Sequence, residues 1–308
     1  MLALLLLALL SSSSALAPAP PQAPGGVAPA HLSVPALLQV HGPRIAALKS
    51  SSALAQLSDM TLLRHVMKHG DEAEQALQET QAWRAGAGKH IVAAAARAVE
   101  KAMQDPKRWD NRPVEEAAPS ADKINRRVAD GIVTTTATNG DLVYCIRAAA
   151  IEDKELMKSV TQKQLVDYFL YAKEVNCLVA DSRSMRSGRL TRVVTANDLS
   201  GVSLFQDKAF RGALSEASTK ANELYPGVAR ETLLLNLPRL LSALVKLFTP
   251  LFPPAVRRKI KFEQGPMQDA GAVGELAKPG PKRDKFMEDI ARLLQADADG
   301  EEDDSKRK

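Results

Sequence analysis

The chain has 308 residues, of which 45% are hydrophobic and 25% are charged, with 41 Lys and Arg against 36 Asp and Glu. This composition is ordinary for a globular protein of one large or two modest domains. The net charge of +5 is small, aromatic residues make up only 4%, and no recognition-helix signature occurs, so we expect no nucleic-acid partner.

The first 58 residues are predicted to form a targeting leader. The apolar run "MLALLLLALL" has the length of a signal-peptide core, and a stretch rich in Ser, Ala and Pro follows it. No acidic residue precedes Asp59, which is typical of a transit peptide. A signal followed by a transit-like segment predicts passage through the secretory pathway, with a plastid as a possible destination. Secretion, or residence in an endomembrane lumen, is the alternative.

Residues 59–104 are predicted to form three helices. Apolar residues recur at helical spacing from Leu62 to Met67, Gly70 interrupts the pattern, and a second helix ends near Trp83. The stretch "KHIVAAAARAVEKAMQ" predicts the third helix. Residues 105–123 contain three prolines and are predicted to be a linker.

The second half of the chain alternates between strand and helix patterns. "DLVYCIR", "CLVADSR", "LTRVVTANDL" and "RETLLLNL" are predicted to be strands, and "TQKQLVDYFLYAKEVN" and "LFQDKAFRGALSEASTKANELY" are predicted to be helices. This alternation predicts an α/β fold with a mixed or largely parallel sheet.

The most apolar stretch, "LLLNLPRLLSALVKLFTPLF", covers residues 233–252. Arg239 and Lys246 would each cost roughly 2.5–3.5 kcal/mol at a bilayer centre, so a membrane span is not expected. The polar residues recur at steps of three and four, which predicts an amphipathic helix with a broad apolar face.

No motif indicates an enzyme, a metal site or a cofactor. "AGAGKH" lacks the spacing of a phosphate-binding loop, and no GxSxG sequence is present. His65 and His69 are four residues apart, but Val66 stands where a zinc protease carries its glutamate. Cys145 and Cys177 lie in apolar contexts and are expected to be buried free thiols.

Three stretches together resemble the CRAL-TRIO lipid-binding proteins. They are "TLLRHVMKHGDEAEQALQETQAWR", "NDLSGVS" and "ANELYPGVARETLLLNLPRLLSALVKLFTPLFPPAVRRKI". The resemblance implies an α/β fold in which a helical N-terminal unit precedes a mixed sheet flanked by helices around a hydrophobic pocket. The expected boundaries are a leader at 1–58, the helical unit and linker at 59–122, the lipid-binding domain at 123–264, and a C-terminal extension with an acidic tail at 265–308.

The resemblance also implies where a lipid would be bound. The helix that follows Asn-x-Pro is the gate of the family's pocket, and the expected pocket and gate residues are Leu240, Leu244, Phe248, Phe252 and Tyr225. The residues expected to meet a headgroup or phosphate are Lys259, Arg257, Arg258, Thr195 and Lys68. Phosphatidylinositol-transfer members carry an acid where this chain has Gly227.

The function implied is the binding, and transfer or presentation, of a phospholipid or phosphoinositide at an anionic membrane surface, as in membrane trafficking. The expected partners are therefore a lipid ligand and a membrane that the protein contacts peripherally. The alternative is a degenerate family member that serves as an interaction or regulatory module without a bound lipid.

Overall fold

The computed structural model describes residues 33–104, 110–128, 132–136, 141–148, 151–200, 206–236, 260–263, 280–290 and 292. Within these residues the centre of the protein is a five-stranded sheet in the order β1-β2-β3-β4-β5. The first strand is antiparallel to the second, and the remaining neighbours are parallel. The strands are β1 (Ile132–Thr136), β2 (Leu142–Arg147), β3 (Val193–Asp198), β4 (Ala229–Leu235) and β5 (Ile260–Glu263).

Helices account for most of the remaining described residues. In chain order they are α1 (Val34–Lys49), α2 (Asp59–His69), α3 (Ala73–Ala85), α4 (Lys89–Ala102), α5 (Arg112–Glu116), α6 (Ala121–Val128), α7 (Asp153–Ser159), α8 (Gln162–Ser187), α9 (Lys208–Leu224) and α10 (residues 281–290). The protein is thus a mixed α/β structure with a helical N-terminal region, as expected. No described helix combines the length and apolar character that a membrane crossing requires.

The helix α1 lies inside the segment that the sequence predicts to be a leader. Its side chains Val34, Ile45 and Leu48 are buried in one core with Leu62 and Leu63 of α2. Its first turn is also fixed, because the Val34 amide donates to the Gly188 carbonyl over 2.8 Å. The leader and its end remain predictions, but residues from 33 onward contribute to the fold.

The strand predicted at "CLVADSR" is wrong, because these residues belong to the long helix α8. The helix begins at Thr161, whose side chain forms a reciprocal capping box with Gln164, and ends at Gly188 with φ of +68°. Leu165, Val175 and Val179 keep a helical spacing of buried positions through the stretch. The short apolar run around residue 178 is therefore part of this helix's buried face.

The two faces of the sheet have different neighbours. On the helix face, Leu142, Tyr144 and Val193 pack in one core with side chains of α4, α8 and α9. On the apolar face, strand side chains pack against α10. The members of that second core are Val143, Cys145, Val194, Ala196, Leu233, Leu235, Phe286, Met287 and Ile290.

Two arginines attach the N-terminal helices to the sheet domain. Arg64 on α2 is buried and donates to the Asp181 carboxylate over 2.7 Å and to the carbonyls of Thr191 and Gly227 over 2.9 Å. Arg84 on α3 donates through both terminal nitrogens to the buried Glu174 of α8, at 2.8 Å each. Because bidentate arginine–carboxylate pairs fix orientation as well as distance, the helical unit is held in one position against α8.

Candidate functional site

The carboxyl ends of the three central strands are tied together by Asp198. Its Oδ2 accepts from Arg147 Nε over 3.1 Å, and its Oδ1 accepts from Asn236 Nδ2 over 3.0 Å and from the Ser200 amide over 3.1 Å. Asn236 has φ of +53°, a conformation that asparagine tolerates better than most residues. Asp198 and Asn236, from the stretches "NDLSG" and "NLP" that carry part of the family resemblance, are therefore hydrogen-bonded to each other at the carboxyl ends of β3 and β4.

Polar side chains lie on the helix face of the sheet, in register across three strands. Tyr144 pairs with Thr195, and Thr195 pairs with Thr232, so these three side chains point to one face. Thr195 is 5% exposed and Thr232 is 2% exposed. Asn197, two residues further along β3, is also buried, and its Oδ1 has no hydrogen-bond partner among the described residues. Since buried polar atoms are nearly always paired, the Asn197 amide oxygen is a candidate to accept a hydrogen bond from a group outside the described residues.

A cavity of about 30 Å³ lies beside Thr195, between the sheet and helices α8 and α9. Its apolar lining includes Val193 and Val228. The polar side chains that line it are Lys173, Asn176, Thr195, Asn222 and Tyr225. Thr195 and Tyr225, predicted from separate motifs as headgroup and pocket residues, are thus brought to one site.

Lys173 is the cationic group of this cavity. Its Nζ lies 5.3 Å from the centroid of the Tyr144 ring, and no carboxylate pairs with it in the described part of the chain. Burial lowers the pKa of the Lys173 ammonium to about 8, because a low-dielectric site disfavours the charged form. An ammonium without a counter-ion in a cavity is the kind of group that binds an anionic ligand.

A second cavity, of about 80 Å³, lies on the other side of Asn176, between α5, α8 and β2. Three tyrosines line it: Tyr144, Tyr168 and Tyr171. The chain has only four tyrosines, and the fourth, Tyr225, lines the cavity that contains Lys173. The sparse aromatic hydroxyls of this protein are therefore concentrated around α8.

Three other predicted positions have defined surroundings. Lys68 donates from Nζ to the Asn222 carbonyl over 2.7 Å, next to the cavity, and burial lowers the pKa of its ammonium. Tyr225 is buried near Glu174, and burial and that carboxylate raise the pKa of its hydroxyl well above the usual range. Gly227 has φ of +68°, and its carbonyl accepts from Arg64, so this position, where phosphatidylinositol-transfer proteins of the resembled family carry an acid, supports helix docking here.

The remaining predicted site residues lie outside the described part of the chain. They are Leu240, Leu244, Phe248, Phe252, Arg257, Arg258 and Lys259. Their contacts with a lipid remain predictions. The residue that follows Lys259 is Ile260, which opens β5 in register with Thr232.

Sequence reasoning missed Lys173, Asn197 and Thr232. For Lys173 a signal was present, because it lies four residues after Phe169 and seven before Ala180, on the buried face of α8. A lysine inside a buried helical stripe indicates a special environment. For Asn197 and Thr232, the alternating strand pattern predicts burial but does not show whether the side chain has a hydrogen-bond partner.

His65, the first of the two helical histidines, is part of the protein core. His65 is buried, donates from Nδ1 to the Thr61 carbonyl over 2.8 Å, and faces the Thr80 hydroxyl from Nε2 at 3.5 Å. Burial lowers the pKa of its imidazole to about 4. In the part of the chain that the structure covers, no three His, Cys, Asp or Glu side chains form a metal-binding group. Both cysteines are free thiols; Cys145 is buried and Cys177 partly so.

Comparison with known proteins finds a family model and similar solved structures. Residues 132–270 match the family model described as the CRAL/TRIO domain. No curated protein matches the sequence significantly. The crystal structure of Sfh5 is similar over 75% of this chain and 77% of that chain, with 13% sequence identity and a TM-score of 0.41.

Proposed function

Because residues 132–270 belong to the CRAL/TRIO family, whose members in general bind lipophilic ligands, we propose that this protein binds one phospholipid or phosphoinositide and transfers or presents it at a membrane. The observation that carries the proposal is the cavity that joins Lys173 to Thr195. An ammonium and a hydroxyl on opposite walls are suited to a phosphate, which accepts hydrogen bonds from both.

The proposed position of the headgroup follows from the two halves of this cavity. Lys173 lies on α8 and Thr195 on β3, so an anion between them would contact both the helix layer and the sheet. Binding would supply the counter-ion that the ammonium lacks and would raise its pKa from about 8. Thr232, in register with Thr195, would extend the hydroxyl surface toward β5.

The acyl chains require space that a gate can enclose. The connection between β4 and β5 joins neighbouring parallel strands, and such connections are right-handed in about 98% of cases. The connections from β2 to β3 and from β3 to β4 run through α8 and α9 on the helix face. Because β4 and β5 follow in the same order, the rule places their connection on the helix face too. We therefore propose that the apolar residues predicted between positions 240 and 252 close over the lipid on the same face as Lys173. Each methylene removed from water would contribute about 0.8 kcal/mol.

A second function is favoured by the size of the described cavities. Volumes of about 30 and 80 Å³ hold a few water molecules rather than an acyl chain. A family member whose pocket is filled by its own side chains would serve as an interaction module. The family is in general not enzymatic, and under either function we assign no catalytic step to this protein.

Native mass spectrometry of the full chain after incubation with a total lipid extract would test the proposal. We expect a stoichiometric lipid adduct that is enriched in anionic phospholipids. Lys173→Met should lower the fraction of anionic adduct about tenfold or more, since it removes a charge-assisted hydrogen bond.

The matched control is Lys163→Met, which removes a lysine from the exposed side of the same helix. It should leave the adduct unchanged. An unliganded mass across several lipid extracts would contradict lipid binding and favour the interaction module. If the fraction of lipid adduct is unchanged in Lys173→Met, the headgroup binds elsewhere.

We also propose that the targeting signal lies within residues 1–32 and directs the protein into the secretory pathway, and from there to a plastid. The support is the leader-like sequence together with the burial of α1 from Val34 onward. A fluorescent reporter fused after residue 32 that stayed in the cytosol would contradict both the signal and its proposed extent.

A further inference from the structure

Four arginines recur at every third position between the end of α8 and the start of β3. The sequence is "RSMRSGRLTR", and we name Arg183, Arg186, Arg189 and Arg192 the arginine row. The first two lie in the last turns of α8, Gly188 ends that helix, and Arg192 directly precedes β3. The row therefore lies at the amino-terminal edge of the parallel strands.

Only one member of the row has a carboxylate partner among the described residues. Arg189 donates to Asp141 Oδ1 over 2.8 Å, and the other oxygen of Asp141 accepts from Arg230 over 2.8 Å. Asp141 is fully buried, and its Oδ1 also accepts from the backbone amide of Arg192 over 3.0 Å. For Arg183, Arg186 and Arg192 the structure shows no ion pair within its described ranges.

Further arginines adjoin the row and increase its charge. Arg183 and Arg186 lie three residues apart on α8, on neighbouring turns, and burial together with the charges of Arg186 and Arg283 lowers the pKa of the Arg183 guanidinium. Burial and the charge of Arg230 likewise lower the pKa of Arg192. Within the described ranges, Asp141, Glu231 and Asp284 form ion pairs with members of this group of six arginines. A surplus of positive charge is thus held together in the free protein, against mutual repulsion.

An exposed apolar side chain accompanies this charge. Met185 lies between Arg183 and Arg186 and is 58% exposed, one of two large hydrophobic residues that are this exposed in the described structure. Guanidinium groups bind phosphates through paired hydrogen bonds, and an unbranched apolar side chain can enter the headgroup region. A nucleic-acid duplex or an acidic protein would pair with the arginines, but contact with Met185 would add little to its affinity.

We propose that the arginine row, with Met185, is the surface by which this protein binds an anionic phospholipid bilayer. The inference rests on the proposed membrane function but not on lipid uptake, because no member of the row lines the cavity at Lys173. It assigns membrane contact to the amino-terminal edge of the sheet.

Vesicle cosedimentation of the full chain would test this surface. The probes are vesicles of phosphatidylcholine alone and vesicles with about one-third phosphatidylserine. We expect binding only to the second kind. Arg183→Glu/Arg186→Glu should weaken it by at least about 20-fold, since each basic residue near an anionic surface contributes about fivefold.

The matched control is Arg97→Glu/Lys101→Glu, which reverses two exposed charges on α4 and changes the net charge equally. It should lower binding less than about threefold. Equal losses in both double variants, or binding of single-stranded RNA in place of vesicles, would overturn the inference. If the glutamate variant does not fold, Arg183→Gln/Arg186→Gln serves, with an expected loss of about 20-fold, because it removes the same two positive charges.

The two proposals fail in distinguishable ways. If lipid adducts form and vesicle binding is unchanged by substitutions in the arginine row, the arginine surface alone is refuted. Row-dependent vesicle binding by a protein that never acquires a lipid adduct would refute the proposed lipid site and retain the surface.

Discussion

The two faces of the sheet differ in what they bury. The apolar face presents aliphatic side chains and one thiol, which pack against Phe286, Met287 and Ile290 of α10. The helix face buries Tyr144, Thr195, Thr232 and Asn197 among its aliphatic residues. Beside it lies Lys173, with which no carboxylate of the described residues forms an ion pair. Both faces belong to the same strands, so the contrast comes from alternate residues of one sequence.

This contrast separates stability from function. An all-apolar face is explained by burial alone, since each aliphatic side chain removed from water favours folding. Buried hydroxyls and an unpaired ammonium oppose folding unless a ligand supplies their partners. The polar residues of the helix face are therefore better explained by ligand binding than by stability. Substitutions on the two faces should change the free energy of unfolding in opposite directions.

The largest effect is expected on the apolar face. Leu233→Ala should lower the free energy of unfolding by about 2–5 kcal/mol, because it removes a fully buried side chain and leaves a cavity. Urea denaturation followed by circular dichroism would measure this. The lipid adduct of the folded fraction should not change. A loss below about 1 kcal/mol would mean that this face is loosely packed and would weaken the comparison.

An effect of opposite sign is expected at Lys173. Its pKa is about 8 in the folded protein against 10.5 for a free lysine, so the unfolded chain binds the proton more tightly. Below pH 8 both states are protonated and the desolvated charge opposes folding in full. Between pH 8 and 10.5 this opposition disappears, and stability rises with pH. Lys173→Met should therefore stabilise the protein by on the order of 1 kcal/mol at pH 7.

The readout for Lys173 is the difference between the urea midpoints of variant and wild type, measured at pH 7 and pH 10. Burial raises the pKa of both cysteine thiols, which titrate with the opposite sign. Subtracting the wild type removes their contribution. The difference should shrink as the pH rises. A constant difference would show that Lys173 keeps an ordinary pKa.

The smallest effect on stability is expected for Thr195→Val. The valine has nearly the same shape, and the hydroxyl has no protein partner within the described residues, so the free energy of unfolding should change by less than about 1 kcal/mol. Lipid adduct formation should nevertheless fall several-fold. A stability loss above about 2 kcal/mol would reveal a hydrogen bond made by the free protein and would make the helix face resemble an ordinary core.

Much of the sheet could be predicted from local patterns. The strands β2, β3 and β4 each follow a buried run bounded by turn or helix signals, and Thr195 was found because it precedes the Asp-Leu-x-Gly motif. Lys173 was missed because its lack of a partner depends on contacts between α8, β2 and β3 that sequence spacing does not reveal. The helix α1 was missed because a segment without acidic residues has the composition of both a leader and a helix that packs on a core.

The burial of α1 has a consequence for the lifetime of the protein in a cell. Ser33 forms an antiparallel bridge with Arg189, and Val34 is bonded to Gly188, so the start of α1 is joined to the end of α8. An aminopeptidase that digested past this junction would expose the Leu62 and Leu63 core to solvent. Degradation from the amino end should therefore pause at residue 33 and become rapid beyond it. The stability of this junction would then set the lifetime of the protein.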